Sequence, residues 1–437
     1  MSATELISLV CCDLGAIVRG RSLPAPELGE HLHSGVSWVP ANHALTPLGT
    51  LAEESPFDSL GDLRLVPDPQ THVRVEPDRQ TSALEFVLCD ILQTDGEQWD
   101  CCPRRFLREA LAELRSQLGA RLLASFEHEF QLLGTEAAPP AFSLEAQRRS
   151  EPFAAAVMAA LTQAGVQPER FLCEYAPHQF EVPVAAAEGI AAADRAVVLR
   201  EVVREVARRH ELRVSFAALL DPSWPGNGVH IHLSLLDADG QTLMYDSRRP
   251  AGLSELAGRF AAGILRHSSA LSALCAPSPV SAERLTPHRW SAGAACLGAA
   301  NRETLLRIPS PITFAGRQPQ TQTHLEYRGA DATANPYLAL GAIVRAGIQG
   351  VREELPAAAI LDRDPSALEG AQASSYGVGA LPASLEDSLL ALQADRTVSG
   401  WLAPQLREVY LAIKRTELRA VADLDVDEIC RRYAEIY

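Results

Sequence analysis

Two short apolar segments of this chain carry carboxylate or imidazole side chains at every second position. Residues 126–130 read Phe-Glu-His-Glu-Phe, and residues 229–235 read Val-His-Ile-His-Leu-Ser-Leu. A period of two is that of a β-strand, in which successive side chains point to opposite faces of the sheet. The pattern therefore predicts two strands that each have one apolar and one polar face. Ionised Glu127 and Glu129 would lie about 7 Å apart on one face and repel each other, which indicates a bound cation.

Further carboxylates and imidazoles occur in similar settings. A predicted turn between Glu174 and Glu181 would return both carboxylates to one place. A later strand would show His324, Glu326 and Arg328 on one face. Five carboxylates with one or two imidazoles form a donor set dominated by hard oxygen, which suits Mg²⁺ or Mn²⁺ better than zinc or copper. Two such ions beside arginines are the arrangement expected for phosphoryl transfer from ATP.

The basic residues of this chain are almost all arginines, because Lys414 is the single lysine among 39 basic residues. A phosphate-binding loop that ends in Gly-Lys-Ser/Thr is therefore excluded, and a Schiff-base mechanism would need Lys414. Anionic ligands must be bound by arginine, backbone amides or metal. Arg284, Arg302 and Arg307 are the candidates, since a guanidinium group binds phosphate or carboxylate at two points.

Composition excludes several other classes of protein. The formal net charge of −16 argues against binding to nucleic acid or to an anionic membrane surface, both of which require a basic footprint. There is no run of about eighteen apolar residues and no basic, apolar leader at the N-terminus. Nine cysteines without a Cys-x-x-Cys spacing indicate reduced thiols, so we expect a cytoplasmic location.

The pattern of the chain changes near Pro103, which predicts a domain boundary. Short alternating runs separated by turns precede this point, whereas apolar residues recur at intervals of three and four after it. The helices predicted beyond it are residues 104–118, 151–163, 185–210, 254–275, 335–351 and most of the last sixty residues. The strands predicted there are residues 122–133, two within 171–184, 229–236, 305–308 and 324–327. The predicted fold class is α+β.

Four motifs, in order along about two hundred residues, resemble those of the glutamine synthetase family. They are Glu-x-Glu, Asn-Gly-x-His-x-His-x-Ser-Leu, Asn-Arg-x₄-Arg-Ile-Pro and Glu-x-Arg-x₆-Asn-Pro-Tyr. The resemblance implies a small N-terminal β-grasp domain over residues 1–102 and a catalytic domain over residues 103–437. It also implies a homo-oligomer, usually two stacked hexameric rings, in which each active site lies between two subunits.

The resemblance also implies a role for each motif residue. The metal ligands it implies are Glu129, Glu174 and Glu181 for one ion and Glu127, His230 and Glu326 for a second. The residues it places near ATP are His232, Ser234, Arg302, Arg307 and His324, the last of which stands where many members have an arginine. The residues it places on the amino-acid substrate are Gly226, Arg284 and Arg328. The residues it implies act directly in catalysis are Arg302, Arg307 and Glu326.

The reaction implied by the resemblance has two steps and uses ATP, glutamate and an amine, with two or more Mg²⁺ or Mn²⁺ ions per active site. A substrate carboxylate attacks the γ-phosphate of ATP and becomes an acyl phosphate. An amine then displaces phosphate and leaves an amide. The metals and arginines would neutralise the charge that develops.

Two acidic residues that ammonia-using members carry are missing here. Such members follow Arg-Leu-x-Pro with Gly-Tyr-Glu-Ala-Pro, whereas Trp290 occupies the position of that glutamate in this chain. Their small domain supplies an aspartate in Asp-Gly-Ser-Ser, whereas residues 34–42 contain Trp38 and no acid. Losing both carboxylates removes the features that select a cation, and the two indoles offer apolar surface instead. We therefore predict an organic amine, and an aromatic or weakly basic one would arrive unprotonated.

Two alternatives stay open at this stage. One is an ordinary glutamine synthetase that uses ammonia, and the other is a catalytically inactive relative that binds or regulates. All six metal-type ligands are present, which argues against the inactive relative. Pro225 stands where many members have an asparagine that contacts the amino acid, so glutamate is the expected acid substrate and the residues do not establish it.

Overall fold

A small sheet forms the N-terminal part of the computed structural model, which describes residues 5–77, 81–134 and 137–437. Its strands are β1 (Leu6–Cys12), β2 (Val18–Pro24), β3 (Val36–Trp38), β4 (Leu63–Pro67), β5 (Val73–Val75) and β6 (Leu84–Gln93). They lie in the order β2-β1-β6-β4-β3, with β5 also paired to β6. β1 and β6 run parallel, and the other pairs are antiparallel. The short alternating runs of this region are therefore strands, as predicted.

A larger, mainly antiparallel sheet follows. Its strands are β7 (Arg121–Leu133), β8 (Leu172–Cys173), β9 (Gln179–Val182), β10 (Ala187–Glu188), β11 (Arg213–Ser215), β12 (Val229–Leu236), β13 (Ala294–Ala299), β14 (Thr304–Ile308), β15 (Leu325–Ala330) and β16 (Ile360–Leu361). They lie in the order β16-β13-β14-β15-β12-β7-β9-β8, and β10 and β11 also pair with β7. The long strand β7 is thus bordered by most of the segments that carry the predicted polar residues.

Helices cover this second sheet and account for most of the C-terminal part, while a short helix over Leu28–His31 belongs to the N-terminal part. In chain order, the helices are α1 (Leu28–His31), α2 (Pro103–Leu118), α3 (Leu144–Gln163), α4 (Ile190–Arg209), α5 (Glu255–Arg266), α6 (Ser268–Cys275), α7 (Ser281–Arg284), α8 (Pro336–Arg352), α9 (Gly370–Ser375), α10 (Leu385–Ala394), α11 (Arg396–Trp401), α12 (Pro404–Val421) and α13 (Val426–Ala434). Residues 336–350 of α8 are all buried, because this helix packs against α2, α5 and α6. The α+β class is confirmed.

Three predicted helices have different bounds in the structure. α3 begins at Leu144, because the Ser143 side chain caps it by accepting from the backbone N–H of Ala146. α4 begins only at Ile190, since residues 187–188 form β10 against β7 and Gly189 turns the chain at a φ of +62°. The predicted helix over residues 254–275 is two helices, α5 and α6, which meet at His267.

Buried polar contacts join the small sheet to the catalytic part. The Arg104 side chain, 3% exposed at the start of α2, donates to Asp68 and Asp90 at 3.0 Å each and to Asp194 of α4 at 2.9 Å. The Asn335 side chain caps α8 and donates to the backbone carbonyls of Cys12 and Asp13. The two parts are therefore held together by charge and by hydrogen bonds as well as by apolar packing.

Lys414 lies in the interior of α12 and is fully buried. Its ammonium pairs with Glu417 at 2.7 Å, and both side chains are fully buried. The Tyr433 hydroxyl donates to the other Glu417 oxygen at 2.9 Å. The lone lysine is therefore a structural residue. All nine cysteines are buried and unpaired, in agreement with the expected reduced thiols. In the described part of the chain, no helix has the length and apolar character needed to cross a membrane.

Candidate active site

One face of the larger sheet gathers the polar side chains that the sequence placed at alternate positions. In β7, Phe126 and Phe130 point into the core, while Glu127 and Glu129 point to the opposite face. The strands β14-β15-β12-β7-β9 are neighbours, and their register sets polar residues directly opposite each other. These facing pairs are Arg307 with Glu326, His232 with Glu326, His230 with Glu127, and Glu129 with Glu181. The predicted strands and their two-faced pattern are confirmed.

The pairing of Glu129 with Glu181 places like charges directly across two strands, which is destabilising unless something compensates. Glu129 is partly compensated, because its Oε2 accepts from the backbone N–H of Gly228 at 2.7 Å. Glu181 is not: burial, together with the charges of Glu127 and Glu129, raises its pKa to about 10. Burial and the same two neighbours raise the pKa of Glu174 to about 7. These carboxylates form an incompletely neutralised anionic cluster.

Glu127 is the carboxylate that the two histidines of β12 hold ionised. His230 Nδ1 lies 3.1 Å from Glu127 Oε1, and His232 Nε2 lies 3.7 Å from Glu127 Oε2. Burial alone would raise the pKa of Glu127, but the hydrogen bond with His230 and the charges of both imidazoles place it well below the ordinary value. Glu127 therefore stays charged while Glu181 tends to hold a proton.

A chain of hydrogen bonds sets the tautomer of His232. His324 Nδ1 lies 2.6 Å from the Gln322 carbonyl oxygen, so it must donate, which leaves His324 Nε2 as an acceptor. His232 Nδ1 lies 2.9 Å from that nitrogen and donates to it. His232 Nε2 is then free to act as a ligand atom: it is buried, has no hydrogen-bond partner and faces Glu127.

Two groups of three side chains bring ligand atoms within 4.8 Å of one another. The first group is Glu127, Glu181 and His230, and the second is Glu127, His232 and Glu326. Both offer carboxylate oxygens with one imidazole nitrogen, a set that fits hard divalent cations, and the unpartnered His232 Nε2 fits the same interpretation. The donors expected for Mg²⁺ or Mn²⁺ are therefore present, and Glu127 belongs to both groups.

The two close groups combine members of the two ligand sets that the family resemblance implied. Glu181, implied to share an ion with Glu129 and Glu174, lies close to Glu127 and His230. Glu326 lies with His232, which we expected near the nucleotide, because these two residues are directly opposite in the register of β12 and β15. His230 Nδ1 is still only 3.9 Å from Glu326 Oε1, so all members belong to one cluster.

Arginines border the cluster on the side of Glu326. Arg307 Nη1 lies 2.6 Å from Glu326 Oε2, and Arg328 pairs with the other Glu326 oxygen. Although burial opposes it, the charge of Arg328, followed by that of His230, lowers the pKa of Glu326 to about 2. Arg328 also donates to the backbone carbonyls of Arg302 and Trp290, at 3.1 and 2.9 Å. It therefore fixes both loops at the cavity.

Arg284 lies beneath the cluster with 2% of its surface exposed. Its Nη2 donates to the Ala330 carbonyl at 2.8 Å, while its buried Nε has no protein partner. A Cβ on Gly226 would approach the Arg284 Cγ to 2.6 Å and the Ala218 carbonyl oxygen to 2.3 Å. Gly226 therefore leaves the room in which the Arg284 side chain lies.

A cavity of about 550 Å³ opens over the polar face. The predicted residues that line it are Glu127, Glu129, Glu174, Glu181, Gly226, His230, His232, Arg284, Trp290, Arg302, Arg307, Glu326 and Arg328. His324 contacts it only through His232, and Ser234 lies further along β12, opposite Leu123. The structure thus brings together nearly all of the predicted site.

The two predicted tryptophans are not brought together in the single chain. Trp290 lines the cavity with 52% of its surface exposed, at a φ of +56°. Trp38 lies in β3 of the small sheet and is 4% exposed within the hydrophobic core. An indole that packs in the core presents no surface to an amine within the same chain. The expected amine pocket is therefore represented here by Trp290 alone.

Several residues at the cavity were not predicted from the sequence, among them Gln179, Tyr175 and Phe142. Gln179 donates to the Gly226 carbonyl and to Asn227 Oδ1, both at 3.0 Å, and its position two residues before Glu181 on β9 could have indicated it. Tyr175 and Phe142 also line the cavity. They carry no periodic signal, because both lie outside the helices and strands of the structure.

The metal-free protein is expected to lose stability as the pH rises from about 5 to about 9. The pKa values of Glu174 and Glu181 in the folded protein are raised to about 7 and about 10, whereas a glutamate in the unfolded chain has a pKa of 4.5. Between these values the folded state binds protons that the unfolded chain has released. The stability contributed by this proton binding is fully present below pH 4.5 and is lost as the pH rises through about 7 and about 10. Melting temperatures measured in EDTA across this range would detect the decline.

Glu181→Gln is the control for this pH effect, because an amide cannot release the proton. The variant should show a flatter decline than the wild type in EDTA. Saturating Mg²⁺ should flatten the wild-type decline as well, since a bound cation replaces the proton. Equal slopes for wild type and variant would contradict the raised pKa of Glu181.

Comparison with known proteins agrees with the geometry of the site. Residues 1–99 match the model of the glutamine synthetase N-terminal domain, and residues 100–433 match that of the glutamine synthetase catalytic domain. Gamma-glutamylpolyamine synthetase GlnA3 of Streptomyces coelicolor is 33% identical over 442 residues, covering 98% of this chain and 92% of that protein. A crystal structure described as a novel glutamine synthase homolog is 46% identical with a TM-score of 0.92, covering 100% of this chain and 99% of that one. A structure of a GmaS/ADP complex is 25% identical with a TM-score of 0.81, and the match covers 99% of this chain and 97% of that one. The chain therefore belongs to the glutamine synthetase family of ATP-dependent acid–amine ligases.

Proposed function

We propose that this protein joins the γ-carboxylate of L-glutamate to an organic amine at the expense of ATP. The observation that carries the proposal is Trp290, which lines the cavity with about half of its surface exposed and, by the motif resemblance, takes the place of the glutamate of ammonia-using members. An indole cannot deprotonate ammonium, but it can contact the carbon skeleton of a larger amine. The resemblance to a protein named gamma-glutamylpolyamine synthetase supports the same conclusion.

The arginines would act on the two anionic substrates. Arg302 and Arg307 would bind the transferring phosphate, and Arg284 and Arg328 would bind the carboxylates of glutamate. The γ-carboxylate oxygen attacks the γ-phosphorus as the bond to ADP breaks. The amine nitrogen then attacks the acyl carbon, the bond to phosphate breaks, and the nitrogen loses a proton. Divalent metal held by the carboxylate and imidazole cluster would supply charge neutralisation for both steps.

The six metal-type ligands would hold two or more Mg²⁺ or Mn²⁺ ions in this enzyme. Each of the two groups offers three protein ligands and leaves positions for substrate oxygens or water. His232, which belongs to one of these groups, would also lie near the nucleotide, together with Ser234 and His324. Gly226 would leave space for the glutamate and for Arg284.

The active site would be completed between subunits of a homo-oligomer, which we propose to be a pair of stacked hexameric rings in the cytoplasm. Within one chain, the small sheet does not contribute Trp38 to the cavity. Residues 34–42 would border the site of a neighbouring subunit in such a ring. The proposed chain divisions are residues 1–102 for the small domain and residues 103–437 for the catalytic domain.

An amine panel tests the proposal directly. Purified protein with ATP, Mg²⁺ and glutamate is given ammonium, alkylamines, arylalkylamines and diamines in turn, and both phosphate release and product mass are measured. We expect kcat/KM for at least one organic amine to exceed that for ammonium by about tenfold or more. Equal or better turnover of ammonium would show an ordinary glutamine synthetase. Absence of metal-dependent ADP release with every acid and amine would show an inactive relative.

A further inference from the structure

Three aromatic rings form a continuous row at the edge of the catalytic cavity. The ring centroids of Phe142 and Tyr175 are 4.8 Å apart with an interplanar angle of 80°, an edge-to-face contact. Those of Tyr175 and Trp290 are 5.3 Å apart with an interplanar angle of 22°, a stacked contact. We call these three side chains the aromatic row. Both contacts have the geometry of attractive aromatic pairs, so the rings support one another.

The aromatic row is attached to the machinery of the site at two points. Tyr175 directly follows Glu174, one of the carboxylates of the anionic cluster. The backbone carbonyl of Trp290 accepts from Arg328, which also pairs with Glu326. All three rings line the same cavity as these groups. Whatever contacts the row is therefore held beside the reacting groups.

The rings are unusually exposed for side chains of this size. The exposed fractions are 45% for Phe142, 47% for Tyr175 and 52% for Trp290. Among the described residues, Phe314 is the one other large aromatic side chain that is exposed to a comparable or larger extent. Exposed apolar surface gathered at one cavity, unlike scattered single residues, marks a place where a ligand is covered and water is displaced. The positions also lie on separate loops, so tertiary structure alone assembles the row.

We propose that the aromatic row determines which amine the enzyme accepts, with the carbon skeleton of the amine packed on the exposed surfaces of Tyr175 and Trp290 that their mutual stacking leaves free. Phe142 is a positioning residue, because it acts on the amine indirectly, by fixing the orientation of the Tyr175 ring. This inference rests on the proposed function and names the part of the amine that is recognised. Aryl rings, alkyl chains and the methylene segments of a polyamine share that apolar surface.

The test compares ratios of kcat/KM, each for one organic amine relative to ammonium. The amines are butylamine, benzylamine and 1,4-diaminobutane, so that the three ratios distinguish recognition of an alkyl chain, of an aromatic ring and of a second nitrogen. Tyr175→Ala and Trp290→Ala should each lower the ratio by about tenfold to a hundredfold, mainly through the KM of the amine. Tyr175→Phe keeps the ring, and the KM of the amine in this variant should lie within about twofold of the wild-type value.

Two further variants separate recognition from structure. Phe142→Ala should lower the ratio less than Tyr175→Ala, and the double variant should lower it no further than Tyr175→Ala alone, because Phe142 acts through that ring. Phe314→Ala removes an aromatic ring that is 74% exposed and does not line the cavity, and it should leave the ratio unchanged. The KM values of glutamate and ATP are measured in every variant.

Several outcomes would overturn the inference. Equal losses with ammonium and with the organic amine in Tyr175→Ala would mean that the ring supports the fold or the chemistry and does not select the amine. An altered oligomeric state in light scattering, with the amine KM unchanged, would mean that the row contacts another subunit. If the wild type accepts organic amines and the variants keep its ratio, this inference alone fails. If the wild type accepts ammonium only, the proposed function fails with it.

Discussion

Replacing Glu127 with glutamine is expected to lower metal-dependent turnover by about a thousandfold, which corresponds to about 4 kcal/mol of transition-state stabilisation. Glu127 is the one residue common to both three-ligand groups, so its loss weakens two candidate ion sites at once. Its replacement is nearly isosteric, and the amide keeps one oxygen for the imidazole of His230. The expected effect therefore comes from lost charge and lost ligand capacity, not from lost packing.

Two measurements check the effect of Glu127→Gln. Steady-state phosphate release should fall with every amine, and the rise in melting temperature produced by Mg²⁺ should become smaller. In the wild type, Mg²⁺ at a hundred times its Kd would stabilise the fold by about 2.7 kcal/mol. Glu169→Gln is the matched control, because Glu169 lines the same cavity but is exposed and lies outside both groups. Similar losses in both variants would contradict the assigned metal cluster.

Replacing Arg104 with alanine is expected to destabilise the protein by about 3–5 kcal/mol, the usual cost of breaking a buried ion pair from one side. The guanidinium is 3% exposed and contacts three carboxylates, of which Asp194 is itself buried, accepts two hydrogen bonds from Arg104 and accepts a third from Tyr337. Without Arg104 these acids face one another, and Arg108 compensates only Asp68 and Asp90. The junction between the small sheet and α4 should therefore weaken first.

Urea denaturation followed by tryptophan fluorescence, at one protein concentration, measures this change. The control is Arg105→Ala on the next residue of α2, whose side chain pairs with Asp100 and Glu109 at the surface. Exposed pairs of this kind contribute about 0–1 kcal/mol. A midpoint for Arg104→Ala that matches that of Arg105→Ala would contradict a structural role for the buried cluster.

The strands that carry the site were predictable, because a period of two is a local property of the chain. The alternation in residues 126–130 and 229–235 corresponds to β7 and β12 without a shift. Helix ends were predicted less well. α4 starts late because residues 187–188 pair with β7, and no local pattern reports a partner that is distant in sequence. The family resemblance, drawn from four motifs, is confirmed by matches that together cover residues 1–433.

The sequence by itself determined the side chains available for chemistry: which of them can hold divalent metal, that arginine is almost the sole basic residue for anionic ligands, and that a tryptophan takes the place of an expected acid. Only the tertiary structure decided how these groups are combined. Strand register places His232 opposite Glu326 and Glu129 opposite Glu181, and a slip of one residue would turn those side chains to the other face. Packing likewise places Tyr175 and Phe142 beside Trp290 and buries Trp38 in the small sheet. Residue identity is local, whereas register and packing depend on contacts between segments far apart in the chain.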